Sequence, residues 1–277
     1  MEKSAERLKV LKKIEELERE EKWDIDVEED PETKTLMPNQ IDYLNKKLTS
    51  KIANFFANIA GTSFYEKLIK KRQLIIKEVK GIENFLQVKE GAIITCNHFN
   101  VCDNYAVWRV IKPYMKGKNL WKVIREGNYT NSPPPFGFIL RNCNTLPLSS
   151  NVETMKNFMS AVNVLLKRGE KILVYPEQAM WWNYKKPRPF KSGAFRFAAT
   201  NLVPVIPFFI TMEDSDVLDA DGFYVQEYTI HIMPAIYPDK NKTRNENMEE
   251  LRSKNFEVWK EVYEKTYNTK LEYLKNK

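Results

Sequence analysis

From Gln73 onward, short β-prone runs alternate with helical stretches, and this alternation limits the fold more than any other feature of the chain. Residues 74–79, 92–96, 120–124, 145–148, 172–175, 203–211 and 223–233 are the β-prone runs. Between and after them the apolar spacing predicts helices over 105–114, over 152–167 with Gly169 as the stop, and over 194–200. A long C-terminal helix is predicted from about Asn247, carrying Leu251, Trp259, Val262, Tyr263, Tyr267 and Leu271. Parallel neighbours in a sheet need long crossovers, which helices supply, so the order predicts an α/β fold: a mixed, largely parallel sheet flanked by helices. The 277 residues, 43% of them hydrophobic, are enough to bury such a core and exclude a wholly disordered chain.

Two segments precede this domain of residues 73–277. Residues 1–36 read as a charged helix and an acidic linker. Leu8, Leu11, Ile14 and Leu17 recur on one face amid Lys and Glu, and the stretch 24–32 is acidic and broken by Pro31. The expectation is a solvated, peripheral appendage, with a partner-binding helix as the alternative. Residues 37–72 read as an amphipathic helical segment capped by Asn39 and stopped by Gly61, with a stripe of Ile41, Leu44, Leu48, Ile52, Phe55, Phe56 and Ile59. Lys67, Lys70, Lys71 and Arg72 follow. Phe55 and Phe56 beside these four cations suit contact with a lipid interface; a helix packed on its own domain fits the same pattern.

Charge sharpens the division. Residues 1–50 carry a net charge of −4 and the remainder +11, within a total of +7. A basic body favours anionic partners. The longest run free of charged residues, 197–212, has 16 residues and two prolines, short of the roughly 20 that a spanning helix needs. The charged opening Met-Glu-Lys-Ser argues against a cleaved signal peptide, and three sparse cysteines, Cys96, Cys102 and Cys143, suit a reduced setting.

Chemistry concentrates in one place. His98, one of two histidines, lies just after an apolar strand and ahead of a helix, where α/β sheets present reactive groups. Asp103, five residues on, falls at the start of that helix; with His98 in the loop, it could hold one ring nitrogen and leave the other as a general base. A capping Asp with a structural His fits the same residues. So do a metal site of Cys96, His98 and Cys102, which lacks a fourth ligand, and a Cys102 nucleophile with His98 as its base. No closely spaced glycines form a phosphate loop. His231, in an alternating strand pattern, reads as a sheet residue facing outward.

The order Asn97-His98-xxxx-Asp103, then Tyr175-Pro176-Glu177, then Val203-Pro204-Val205-Ile206-Pro207 resembles the glycerolipid acyltransferase family that includes lysophosphatidic acid acyltransferase, over about half the chain. The resemblance implies a cofactor-independent enzyme that moves a fatty acyl group from acyl-CoA or acyl-carrier protein to a lysophospholipid hydroxyl. His98 is then the base and Asp103 its orienting partner. Glu177 is implied in binding the acceptor's polar head. Asn97 and the start of the following helix are candidate donors to the tetrahedral oxyanion, and Arg125 stands where the family places a phosphate-facing lysine. Two motif arginines are replaced, by Ser150 and Met180, so the phosphate grip must come from elsewhere. Lys185, Lys186 and Arg188, among aromatics just after Glu177, are the candidates. The expected partners are the acyl donor, the lysolipid and an anionic membrane surface, with attachment peripheral and on its inner, cytoplasmic face. No nucleic-acid module is recognisable. An acceptor without a phosphomonoester, such as a glycolipid, and a catalytically silent lipid-binding protein are the rival readings.

Overall fold

A computed structural model describes residues 2–28 and 33–275 of the protein. Among these, the helices are α1 (Ala5–Arg19), α2 (Leu48–Lys70), α3 (Ile82–Gln87), α4 (Asp103–Ile111), α5 (Glu126–Thr130), α6 (Phe136–Asn142), α7 (Val152–Lys167), α8 (Gly193–Asn201) and α9 (Arg244–Tyr267). The strands are β1 (Ile75–Lys80), β2 (Ala92–Thr95), β3 (Leu120–Ile124), β4 (Thr145–Pro147), β5 (Lys171–Val174), β6 (Val205–Leu218) and β7 (Tyr224–Ile232). They form one sheet in the order β1-β7-β6-β2-β5-β3-β4, parallel throughout except for the β6–β7 hairpin. This is the mixed, largely parallel α/β sheet expected from the sequence.

Both faces are covered, which is why the central strands read as unbroken apolar runs. Ile93, Ile172 and Val205 pack with α7, α8 and α9 on one face. Ile94, Leu173 and Ile206 pack with α3, α4 and the second half of α2 on the other. The alternation of successive strand residues between faces accounts for the split. Left-handed Gly169 ends α7 as predicted, and a Thr243–Glu246 capping box starts α9 three residues before Asn247. Leu271 lies beyond the end of α9.

Two expectations need correction. Asn39 does not cap the second helix and Gly61 does not stop it: Asn39 lies in a short 3-10 turn, and α2 runs from Leu48 through Gly61 to Lys70. One interior glycine costs a helix about 1 kcal/mol, too little to break 23 residues packed against α6. Left-handed Arg72 is where the chain turns away. Ile41 and Leu44 therefore lie outside the helix and pack beside the core. The second correction concerns α1. Far from being a solvated appendage, it buries Val10, Ile14 and Leu17 against Ala179, Trp181 and Trp182, while Leu8 faces outward. Pro31, on which the linker reading turned, lies outside the described residues.

Candidate active site

The centre forms where β2 and β5 end side by side. The chain leaves β2 at Thr95, and the next residues turn across the carboxyl end of the sheet before α4 begins at Asp103. Asn97 fixes this turn: its Nδ2 donates to the Ile210 carbonyl at 3.0 Å and its Oδ1 accepts from the Ile210 N–H at 2.8 Å. Both ends of the amide are thus spent on β6. The expectation that Asn97 donates to an oxyanion is corrected; it ties the loop to the sheet.

His98 Nδ1 lies 2.8 Å from Asp103 Oδ2. Asp103 is fully buried, and every contact around it has a donor. Oδ2 also accepts from the Phe99 and Asn100 N–H groups at 3.1 and 3.3 Å, and Oδ1 accepts from the Tyr175 hydroxyl at 2.6 Å. Two backbone amides and the N-terminus of α4 thus face the carboxylate. With Nδ1 committed, Nε2 is the ring nitrogen left for a substrate, and the imidazole keeps 22% of its surface exposed. The ring also stacks on Tyr175, centroids 4.0 Å apart and planes 18° from parallel. Burial and the adjacent Asp103 charge push the Tyr175 hydroxyl well above its ordinary pKa, so it stays a donor. Tyr175 was missed as a site residue. The available signal was its hydroxyl, at the end of β5 and two residues before Glu177.

The cysteine reading fails on the same geometry. Burial, reinforced by the Asp103 charge, raises the Cys102 thiol to about 12 and Cys96 well above its usual value, so neither supplies a thiolate.

Glu177 does not face a substrate. It is buried, its Oε2 accepts from the His98 N–H at 3.2 Å, and its Oε1 accepts from the Arg188 N–H at 2.8 Å. The Arg188 guanidinium adds a 3.0 Å ion pair to Oε2. Both oxygens are therefore committed to protein, and the polar-head role assigned to Glu177 is corrected to a positioning one. Arg188 is corrected with it: completely buried, its charge is answered by Glu177 and by backbone carbonyls. The Trp181 ring lies 4.6 Å from its guanidinium carbon.

Two of the other predicted cations are met by the N-terminal segment. Arg125, at the end of β3, pairs with Asp26 at 2.5 Å, and Lys186 pairs with buried Glu18 at 2.6 Å. Lys185 lies 5.6 Å from the Tyr267 ring centroid. Ser150, in place of a motif arginine, donates its backbone N–H to Glu126, and Met180 is partly buried in the loop after β5. Sequence spacing gave no sign that acidic residues 18–26 would reach these positions.

On α2, Phe55 and Phe56 are 62% and 57% exposed, with Leu48, Ile52 and Ile59 exposed beside them. Phe136 and Phe138 of the adjoining α6 extend the apolar surface. Lys67, Lys70, Lys71 and Arg72 are exposed at the end of α2, where Arg72 pairs with Asp216. Further along the same helix, Tyr65 stacks on Tyr105, and its hydroxyl donates to the Val101 carbonyl at 3.3 Å. The apolar surface and the His98–Asp103 loop are thus joined by one helix.

Residues 77–211 match the model of the family described as Acyltransferase, a span that runs from β1 into β6 and holds His98, Asp103, Tyr175 and Glu177. Just under half of the chain is thus similar to the acyltransferase family. A search of curated proteins gave no match. Among solved structures, the crystal structure of the 1-acyl-sn-glycerophosphate (LPA) acyltransferase PlsC from Thermotoga maritima is similar, with 20% identity, a TM-score of 0.49, and coverage of 80% of this chain and 81% of that chain.

Proposed function

We propose that the protein transfers a fatty acyl group from a thioester donor, acyl-CoA or acyl-carrier protein, to the hydroxyl of a lysophospholipid resembling 1-acylglycerol 3-phosphate. The observation that carries this reading is the His98–Asp103 pair within the family-matched segment. His98 Nε2 takes the proton of the acceptor hydroxyl as its oxygen attacks the thioester carbonyl. Buried Asp103, on Nδ1, stabilises the imidazolium that results. Collapse of the tetrahedral intermediate breaks the carbon–sulfur bond, and the imidazolium returns its proton to the leaving thiolate. Ester and free thiol are the products, and no cofactor enters the balance.

The acceptor is a lipid, so the enzyme works at a membrane surface. Among the described residues no helix is long and apolar enough to cross one. Peripheral attachment, on the inner, cytoplasmic face, is the arrangement that this reading requires. Phe55 and Phe56 enter the interface while Lys67, Lys70 and Lys71 meet anionic headgroups, each basic residue adding about 1 kcal/mol. A second reading, an acceptor without a phosphomonoester, is favoured by one observation: Arg125, Lys186 and Arg188 are each paired with a carboxylate of the chain itself.

The test is transfer of labelled acyl groups, from acyl-CoA and from acyl-carrier protein, to lysophosphatidate, other lysophospholipids and a glycolipid. The acceptors are carried in vesicles with and without anionic lipid. Esterified lysophospholipid, with vesicle binding that rises with anionic lipid and falls with salt, is the expected result. Glycolipid acylation alone selects the second reading, and no acylated acceptor with either donor overturns both.

A further inference from the structure

Ahead of α2, outside the family-matched span, the chain reaches the catalytic loop through buried groups. Arg188 stands at the junction. Its Nη2 donates to Glu177 Oε2 at 3.0 Å and to the His98 carbonyl at 3.4 Å, and its Nη1 donates to the Trp23 carbonyl at 3.0 Å. Trp181 makes the same connection by a second route. Its backbone N–H donates to the His98 carbonyl at 3.2 Å, while its indole Nε1 donates to the Ile25 carbonyl at 2.9 Å. The Trp23 ring stacks on Trp181, with centroids 5.8 Å apart, and meets Tyr273 at 4.6 Å. A third link is Asp24, paired with Lys191 at 2.8 Å; the Lys191 N–H in turn donates to the Pro176 carbonyl, next to Glu177.

We propose that residues 23–26 are a positioning strap for the His98 loop, a part of the active centre supplied from the N-terminal segment. The reason lies in what the strap satisfies. Arg188 is a buried cation, and such a charge holds its place only while its donors have acceptors. Its Nε already has no partner, so the acceptors on Nη1 and Nη2 carry the load. Loosening the strap takes the Trp23 carbonyl from Arg188 and the Ile25 carbonyl from Trp181. Both of those residues touch the His98 carbonyl, and Arg188 also holds Glu177, which grips the His98 N–H. The main chain on each side of His98 is therefore referenced to the strap, and a shift of about 1 Å in a reacting group costs about 10²-fold in rate. Surface ion pairs alone would suggest a removable cover over the cations. The links through the carbonyls of Trp23 and Ile25 into buried donors distinguish a support from a cover.

The experiment compares full-length Trp23→Leu, which keeps an apolar side chain but loses the stack on Trp181, with Trp23→Phe. The kinetic arm rests on the proposed acyl transfer: Trp23→Leu is expected to lower kcat about tenfold with KM for acyl-CoA within twofold, and Trp23→Phe to recover most of it. Two readouts are independent of that reading. In Trp23→Leu the His98 amide exchanges hydrogen at least tenfold faster. In the spectrum of the two histidine rings, the His98 signals broaden while those of His231 do not. Unchanged or raised kcat, or unchanged exchange at His98, overturns the strap. If the wild-type protein acylates no acceptor, the functional reading falls while the exchange and ring spectra still decide the strap.

Discussion

The two histidines of the protein lie on the same sheet in opposite electrostatic settings. His98 stands past the carboxyl end of β2, with a buried carboxylate at 2.8 Å from one ring nitrogen. His231 lies within β7, its Nε2 2.9 Å from the Thr211 hydroxyl. Burial, and next the Lys80 charge, press His231 down to about 4. A general base must carry a proton for the lifetime of an intermediate, so it needs a counter-charge in place beforehand. Asp103 gives His98 that counter-charge. Next to Lys80 in a half-buried strand, His231 rejects the proton. Ring type and sheet membership do not set the two apart; the carboxylate, the strand end and an open ring nitrogen do.

The comparison breaks most directly by removing each ring in turn. His98→Gln is expected to lower kcat by about 10³-fold or more, within the usual range for a lost general base assisted by its carboxylate. His231→Gln should leave kcat within about twofold. Equal losses in the two variants, measured on folded protein, would mean that the surroundings do not separate the rings. Next in size is Glu177→Ala, which leaves the Arg188 cation buried without its carboxylate. Breaking a buried pair in this way costs about 3–5 kcal/mol, read as a drop in the denaturant midpoint. A loss below 1 kcal/mol would show that Glu177 is not what holds Arg188 and the His98 main chain together.

Much of this was legible in the sequence, and what was not has a physical cause. The runs around Ile93 and Ile172 announced strands because both faces of the sheet are covered, which leaves little polar interruption. His98 and Asp103 were legible because a five-residue step from a loop into a first helical turn is a local geometry. Glu177 was found by motif but misread, since its partner Arg188 is fixed only by the tertiary path of the loop. Asn97 fails for the same reason: Ile210, which takes both ends of its amide, lies 113 residues away. The docking of α1 was least legible of all. Val10, Ile14 and Leu17 spell an apolar face, but nothing local says that Trp181 and Trp182 will cover it.

The pH dependence of stability sharpens the His231 side. Its folded value, about 4, is below the unfolded value of 6.5, so the unfolded state binds the proton more readily between those limits. The contribution of His231 is therefore fully present above pH 6.5 and is lost as pH falls toward 4. The size is about 2 kcal/mol once partial exposure is allowed for. Denaturant unfolding at pH 7 and pH 4 should show His231→Gln losing less stability than wild type over that interval. An identical loss in both proteins would mean that the ring is not protonated on unfolding.

The smallest expected effect concerns what keeps Asp103 in place. The Tyr175 hydroxyl donates to Oδ1 at 2.6 Å, and its ring stacks on His98, so one side chain steadies both members of the pair. Tyr175→Phe keeps the stack and deletes the hydrogen bond, separating the two contributions. A donor removed from a buried carboxylate costs about 1–3 kcal/mol, while the N–H donors of Phe99 and Asn100 stay on Oδ2. The expected loss in kcat is about tenfold or less. A purely structural tyrosine would lower thermal stability and leave kcat where it was. The loss in kcat, set against the loss in stability, therefore decides whether the hydroxyl acts through Asp103 on His98.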